Sequence, residues 1–325
     1  MRIGVLGAAR IAPGALVRPA RVVADVEVAA VAARDRSRAE AFAARHGVPA
    51  VHGSYADLLA DESLDAVYIA LPNGLHAQWT LAALAAGKHV LCEKPFTSNA
   101  AQAREVAAAA QGSGLVVMEA FHYRYHPLAR RMAELVHGGE LGTIRRIETA
   151  MCFPLPLFGN IRYDFSLAGG ALMDAGCYAV HALRALSPAE PEVTAAQALT
   201  MRREPRIDRA MTAQFKLPGG SAQIRASMWS AALLSMRARV IGERGTMTTV
   251  IFASPRPWTR LTVTAGGQQR RERFGDEATY VHQLRAFAAA VGGDPAANLT
   301  PPADSVATMT QIDSVYRAAG LPLRP

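Results

Sequence analysis

The chain has 325 residues, 50% of them hydrophobic, which is enough for two domains that each bury a core. Its formal charge of +8 comes from arginines scattered along the chain, with only short doublets such as Arg270-Arg271, so the basic stripe of a nucleic-acid binder is missing. No apolar run approaches membrane-spanning length, and the three cysteines (Cys92, Cys152, Cys177) lack a Cys-x-x-Cys spacing, which argues against a membrane span, a disulfide framework and a metal site alike.

A strand that begins directly after Met1 leaves no room for a signal peptide, so a cytoplasmic, reducing location is expected. Apolar runs predict strands at 2–6, 28–33, 66–71, 89–92 and 115–118. Between them, helical spacing of apolar residues appears at 37–45, 76–86 and 99–111. Gly47, Gly87 and Gly112 follow the last helical residues, where a left-handed cap favours glycine. Alternating strands and helices predict an α/β domain with a doubly wound parallel sheet over residues 1–121.

Beyond Glu119 the pattern changes. A helix is expected at 127–136, stopped by Gly138-Gly139, followed by strands at 144–150, 210–215, 222–229, 238–241 and 261–264. Helices at 171–186, 280–291 and 304–318 punctuate or close this half. Strands in succession favour an open, mostly antiparallel sheet with helices on one face, so residues 122–325 are expected to form one α+β domain. Its uncovered face suggests self-association, as a homodimer or homotetramer.

The first strand runs into Gly7-Ala8-Ala9-Arg10-Ile11-Ala12, a Gly-x-Gly-x-x-Gly/Ala dinucleotide fingerprint in which Ala9 replaces the middle glycine. An alanine there tightens the approach of the pyrophosphate, but a strand before and a helix after are the context that the fingerprint requires. The end of the second strand selects the ribose, and it reads Ala33-Arg34-Asp35-Arg36-Ser37-Arg38. Arg34 and Arg38 beside a neutral Ala33 favour a 2′-phosphate and hence NADP, while Asp35 keeps NAD open.

Arginine supplies most of the positive charge; the lysines are Lys88, Lys94 and Lys216. Lys94 lies in Glu93-Lys94-Pro95, immediately after the strand at 89–92. A lysine can exchange a proton where arginine cannot, so a lysine kept at a strand end is a candidate acid-base group. Arg124, with Tyr123 and neighbouring aromatics, follows the strand at 115–118, where a sugar or ring diol could stack or an interdomain contact could form.

Pro72-Asn73-Gly74-Leu75-His76, Glu93-Lys94-Pro95 and Gly169-Gly170-Ala171-Leu172-Met173-Asp174-Ala175-Gly176-Cys177-Tyr178 occur in that order. Together they resemble the glucose-fructose oxidoreductase, inositol dehydrogenase and rhizopine-catabolism (Gfo/Idh/MocA) family over the whole chain. With Val31 through Ala39 and Glu119-Ala120-Phe121, Tyr178 looks most like the NADP-linked dihydrodiol and xylose dehydrogenase branch. The resemblance implies a dinucleotide-binding Rossmann domain, catalytic Lys94 with an Asp174–Tyr178 pair, Pro72, Asn73 and His76 at the nicotinamide end of the cofactor, and Glu93 and Lys94 among the cofactor-binding residues.

Asp174 and Tyr178 stand one helical turn apart, on one face, with His181 a further turn on. A nearby lysine ammonium would lower a tyrosine hydroxyl from its usual value near 10 and make it a useful acid-base. Arg162, in an Asn160-Ile161-Arg162 segment found in some relatives, is a candidate for holding a substrate hydroxyl or carboxylate, and His181 is either a substrate contact or a helix-face residue. The expected activity is NAD(P)-dependent oxidation or reduction of a ring hydroxyl or ketone on a sugar, cyclitol or cyclic trans-diol. The alternatives are a glycoside hydrolase working through transient oxidation by bound NAD, and a non-enzymatic dinucleotide-binding regulator.

Overall fold

Runs of valine, isoleucine, leucine and alanine form the central strands of a parallel sheet, buried on both faces as a helix-covered sheet requires. In the computed structural model, which describes residues 1–157 and 159–325, the strands of this sheet are β1 (Arg2–Leu6), β2 (Glu27–Ala32), β3 (Ala50–His52), β4 (Ala66–Ile69), β5 (His89–Cys92) and β6 (Val117–Glu119). They pair in the order β3-β2-β1-β4-β5-β6, all parallel. The connections carry α1 (Arg18–Ala20), α2 (Arg36–His46), α3 (Tyr55–Leu59), α4 (His76–Ala85) and α5 (Ala100–Gln111). Strand order reverses between β1 and β4, which opens a crevice at their carboxyl ends.

Strand β3 was not expected, because a half-buried run of Ala50, Val51 and His52 leaves too short an apolar signature. Gly47 and Gly87 adopt left-handed conformations, with φ of 73° and 72°. Gly112 does not: its φ is −100°, and the left-handed residue is Gly114, where the chain turns back toward β6.

A second compact unit comprises His126–Asp276 with Ala307–Pro325. It begins with α6 (Pro127–His137) and β7 (Ile144–Cys152), then a wide π turn (Leu172–Gly176) leading into α7 (Cys177–Leu186). The remaining strands are β8 (Glu192–Thr200), β9 (Asp208–Leu217), β10 (Gly220–Ser227), β11 (Ser235–Gly242), β12 (Gly245–Val250), β13 (Leu261–Ala265) and β14 (Gln268–Glu272). One open sheet results, ordered β14-β13-β12-β11-β7-β10-β9-β8, in which only β7 and β10 run parallel. Strands β8 and β14 lie at its edges and bury little, so their sequences carry no strong alternation. On β9 and β10 the inner residues Ala213, Phe215, Ala222 and Ile224 are buried. Outer positions hold Gln214, Lys216, Ser221, Gln223 and Arg225, a polar face that demands less cover than an apolar one would.

The expected continuous domain over 122–325 is interrupted. Glu277–Val306 belongs with Met1–Tyr125 in the first unit. Its helix α8 (Thr279–Val291) buries Val281, Leu284 and Phe287 in the same core as Val5, Tyr68, Leu91 and Met118. Burying such side chains stabilises the fold by about 1.5–3 kcal/mol each, which favours this docking. Asn298 Nδ2 donates to the Val117 carbonyl at 2.9 Å and Thr300 Oγ1 to that of Glu119 at 2.7 Å, satisfying acceptors on edge strand β6. The chain returns to the second unit within α9 (Pro302–Ala318). No helix among the described residues is long and apolar enough to cross a membrane.

Candidate active site

At the carboxyl end of β1, Gly7 turns the chain with a φ of 102°. Its amide donates to the Ala32 carbonyl at 2.8 Å, and a side chain there would sit 2.8 Å from the Ala70 carbonyl oxygen. Only glycine satisfies both demands. Ala9 is half-buried, whereas Arg10 and Ile11 are exposed beside it.

The end of β2 resolves the roles within Ala33-Arg34-Asp35. Ala33 is buried, and Asp35 caps α2: its Oδ1 accepts from the Ser37 amide at 3.0 Å and the Ser37 hydroxyl at 2.8 Å. Those bonds hold the Asp35 carboxyl below the usual carboxylate value. Arg36 pairs with Glu40 at 2.8 Å, while Arg34 and Arg38 stand exposed. A glycine turn open to close backbone approach, with two exposed guanidinium groups at the neighbouring strand end, fits NADP.

The β4 and β5 ends are tied together. Tyr68, fully buried in β4, donates its hydroxyl to Glu93 Oε1 at 2.6 Å. His76 places Nδ1 2.7 Å from the Pro95 carbonyl and Nε2 2.9 Å from that of Leu71. Burial pushes this imidazole down, against the pull of the two carbonyls, and the Lys94 charge adds to the depression. A neutral ring therefore donates to one carbonyl at a time. The Lys94–Pro95 peptide is cis, and Phe96 donates its amide to Glu119 Oε1 at 2.8 Å. Lys94 thus emerges, half-buried, from a segment held on both sides, with Pro72 and Asn73 half-buried in the adjoining loop. Lys88, by contrast, is a staple: its Nζ donates to the Asp61 and Leu64 carbonyls at 2.8 and 2.7 Å.

After β6, the turn His122–Tyr125 is anchored by His122 Nδ1 against Thr279 Oγ1 at 2.6 Å. Tyr123 is buried and meets Phe121 edge-on at 6.4 Å, while Arg124 is half-buried.

In the second unit, Asp174 lies in the π turn and Tyr178 in the first turn of α7, both largely buried. Wide turns of this kind recur at functional sites. Arg162 Nε donates to Asp174 Oδ2 at 2.7 Å, so the structure joins two residues singled out separately in the sequence. The loop carrying Arg162 is held by its own caps: Asn160 Oδ1 accepts from the Arg162 amide at 3.1 Å, and the Arg162 carbonyl accepts from Gly170 at 2.9 Å. Neighbouring Tyr163 donates to the Leu155 carbonyl at 2.7 Å, and burial, with the Asp174 charge, pushes its hydroxyl up to about 12. His181 is 2% exposed, in the buried part of α7. Sequence reasoning passed over Tyr68 and Asp208, whose partners are distant in the chain; a tyrosine inside a strand otherwise made of Ala66, Val67 and Ile69 was the available signal for the first.

A parallel sheet of this order, with a glycine turn at β1 and a basic end to β2, defines a dinucleotide-binding protein. The model of the oxidoreductase family with an NAD-binding Rossmann fold matches residues 1–121, and that of the GFO/IDH/MocA C-terminal domain matches residues 129–248. The chain belongs to the GFO/IDH/MocA oxidoreductase family. It is 39% identical to D-xylose 1-dehydrogenase (NADP(+)) 2 of Haloferax volcanii, over 98% of this chain and 97% of the relative. A trans-1,2-dihydrobenzene-1,2-diol dehydrogenase of Xenopus laevis is 32% identical over 76% of this chain and 73% of its own. The crystal structure of KijD10, a 3-ketoreductase from Actinomadura kijaniata in complex with NADP and TDP-benzene, superposes with a TM-score of 0.88 at 30% identity, covering 98% and 97% of the two chains.

Proposed function

We propose that this protein is an NADP-dependent dehydrogenase or reductase acting on a ring hydroxyl or ketone of a sugar, cyclitol or cyclic diol. The observation that carries the proposal is the clamped Glu93-Lys94-Pro95 segment at the β5 end, beside a dinucleotide crevice with exposed Arg34 and Arg38. Relatives named for xylose and dihydrodiol oxidation support the substrate class.

Bound NADP would supply the hydride acceptor or donor. Gly7, Ala9, Arg10 and Ile11 would line its pyrophosphate, Ala33, Arg34 and Arg38 its 2′-phosphate, and Pro72, Asn73, His76 and Glu93 its nicotinamide end. In the oxidation direction a deprotonated Tyr178 Oη would accept the proton of the substrate hydroxyl, and in reduction the Tyr178 hydroxyl would give that proton to the carbonyl oxygen, with Lys94 as its electrostatic partner. Asp174, oriented by Arg162, would fix the substrate; Arg124 is a further candidate contact, whereas the burial of Tyr123 and His181 favours packing roles. Such acid-base help contributes roughly 10² to 10⁴ in rate. We further propose a homodimer formed through the outer face of the second unit's sheet, in a cytoplasmic setting.

The test is a screen of D-xylose, myo-inositol and trans-1,2-dihydrobenzene-1,2-diol with NADP and with NAD, read at the reduced-nicotinamide absorbance band. Stoichiometric, NADP-preferring turnover is expected. Cleavage of a glycoside without net cofactor reduction would overturn it in favour of a hydrolase.

A further inference from the structure

Arg324 has a fully buried side chain. Its Nη2 lies 2.6 Å from Asp208 Oδ1, its Nε donates to the Gly169 carbonyl at 2.7 Å and its Nη1 to that of Pro322 at 3.0 Å. The guanidinium also lies over the Tyr316 ring, 4.1 Å from the centroid, and the Tyr316 hydroxyl donates to Asp208 Oδ1 at 3.0 Å. The other Asp208 oxygen, Oδ2, accepts the Leu172 amide at 2.7 Å. That amide belongs to the start of the π turn, where N–H groups lack partners within the helix. A carboxylate on β9 therefore caps the segment from outside, and Arg324 and Tyr316 hold the carboxylate in place.

The same cluster touches Gly170, whose φ is +138°. A side chain there would lie 2.2 Å from Asp208 Oδ1, 2.6 Å from Arg324 Nη2 and 2.9 Å from the Tyr316 hydroxyl. The Gly170 carbonyl in turn accepts the Asp174 amide at 3.0 Å, and its own amide donates to the Arg162 carbonyl. Backbone at 169–174 is thus held by Asp208 and Arg324 on one side and by the Arg162 loop on the other. Burial pushes the Asp208 carboxyl up while Arg324, the Leu172 amide and Tyr316 pull it back; burial also pushes the Tyr316 hydroxyl well up, which keeps it a donor.

A buried ion pair is weak support for stability, since apolar replacements of similar volume are often neutral or better. What this one supplies is direction: the guanidinium fork reaches three acceptors at fixed angles, and two of them set the path of residues 169–172. We propose that Arg324, acting with Asp208 and Tyr316, is a positioning residue for the reaction, fixing the Gly169-Gly170 turn and thereby the placement of Asp174 and Tyr178. The inference rests on the reading of Tyr178 and Asp174 as reacting residues. A displacement of about 1 Å in such groups can cost on the order of 10²-fold in rate.

The informative variant is Asp208→Asn with Arg324→Met, which removes both charges together and leaves no unpaired ion in the core. Arg324→Lys is its companion, keeping the charge without the fork. In the full-length double variant, hydrogen exchange at the 172–178 amides is expected to accelerate at least about tenfold while that of β10 is unchanged. Turnover of the best substrate among D-xylose, myo-inositol and the dihydrodiol should fall about tenfold to a hundredfold in kcat, with NADP affinity intact. Arg324→Lys should recover only part of that loss. Wild-type kcat in a folded double variant overturns the proposal, as does a loss confined to stability or to NADP binding. Tyr178→Phe assayed in parallel separates the two failures: if it too keeps full turnover, the reading of Tyr178 has failed; if it loses turnover, the fault lies with Arg324.

Discussion

Arg162 Nε and Asp174 Oδ2 lie 2.7 Å apart, with the carboxylate largely buried and the guanidinium partly open to solvent. The arginine therefore sets which way the carboxylate faces. Arg162→Ala is expected to lower kcat/KM about tenfold to a hundredfold, the range of a charge-assisted hydrogen bond. Arg162→Lys should recover little, because a point charge cannot reproduce a directed guanidinium contact. Steady-state kinetics with separate titration of NADP checks this; an equal loss in NADP affinity would place the effect elsewhere.

NADP should bind more tightly than NAD, since Asp35 is occupied in capping α2 while Arg34 and Arg38 are exposed. Arg34→Ala is expected to weaken NADP about tenfold to a hundredfold and leave NAD nearly unchanged. Fluorescence titration of both cofactors decides it. Unchanged NADP affinity would remove Arg34 from the 2′-phosphate site.

Lys94→Met and Tyr178→Phe are each expected to retain the fold and NADP binding while lowering kcat at least about a hundredfold. Their effects should not add, because a proton-handling unit already broken cannot be broken again. Single-turnover rates of the two single variants and the double variant test this. Additive losses would mean that the residues act independently.

Acid should destabilise the fold through three histidines. Burial is the largest cause lowering His46, His76 and His89 below the ordinary 6.5. Between each lowered value and 6.5 the unfolded chain binds more protons than the folded one, so their contribution is complete above about 6.5 and lost as pH falls further. Melting temperatures measured from about pH 8 to about pH 5 should decline on the acid side. His76→Gln should flatten part of that slope whatever its own starting stability; an identical slope would exclude His76 as a contributor.

A dimer in solution is expected, with charge reversal at Lys216 and Arg225 on the outer sheet face shifting it toward monomer. Light scattering at micromolar concentration checks both statements. A monomeric wild type would mean that the polar outer face is stable in water as it stands.

Local chemistry made much of the framework legible. Strands β1 and β5 fall where their apolar runs begin and end, at Arg2–Leu6 and His89–Cys92. Gly7 could be singled out because it opens a short fingerprint whose spacing carries its own geometry, and Lys94 because lysine is so scarce in this chain, whereas Asp174 and Tyr178 were singled out through the family resemblance that their motif carries. Helix α8 was visible as a helix, yet its membership of the first unit was not, since periodicity identifies an apolar face without naming the core that will receive it.

Tertiary structure decided the partnerships. Asp35 could have met a ribose until the fold showed its carboxylate bonded to Ser37. Lys88 and Lys94 are equally rare in composition, but carbonyls from a distant loop make the first a staple. Arg324 meets Asp208 across a separation of 116 residues, and no local pattern records such a pairing. Motifs and periodicity follow from interactions within a few residues, which the order of amino acids determined by itself; the orientation of the buried charges depends on which elements fold against one another, and only the assembled structure decided that.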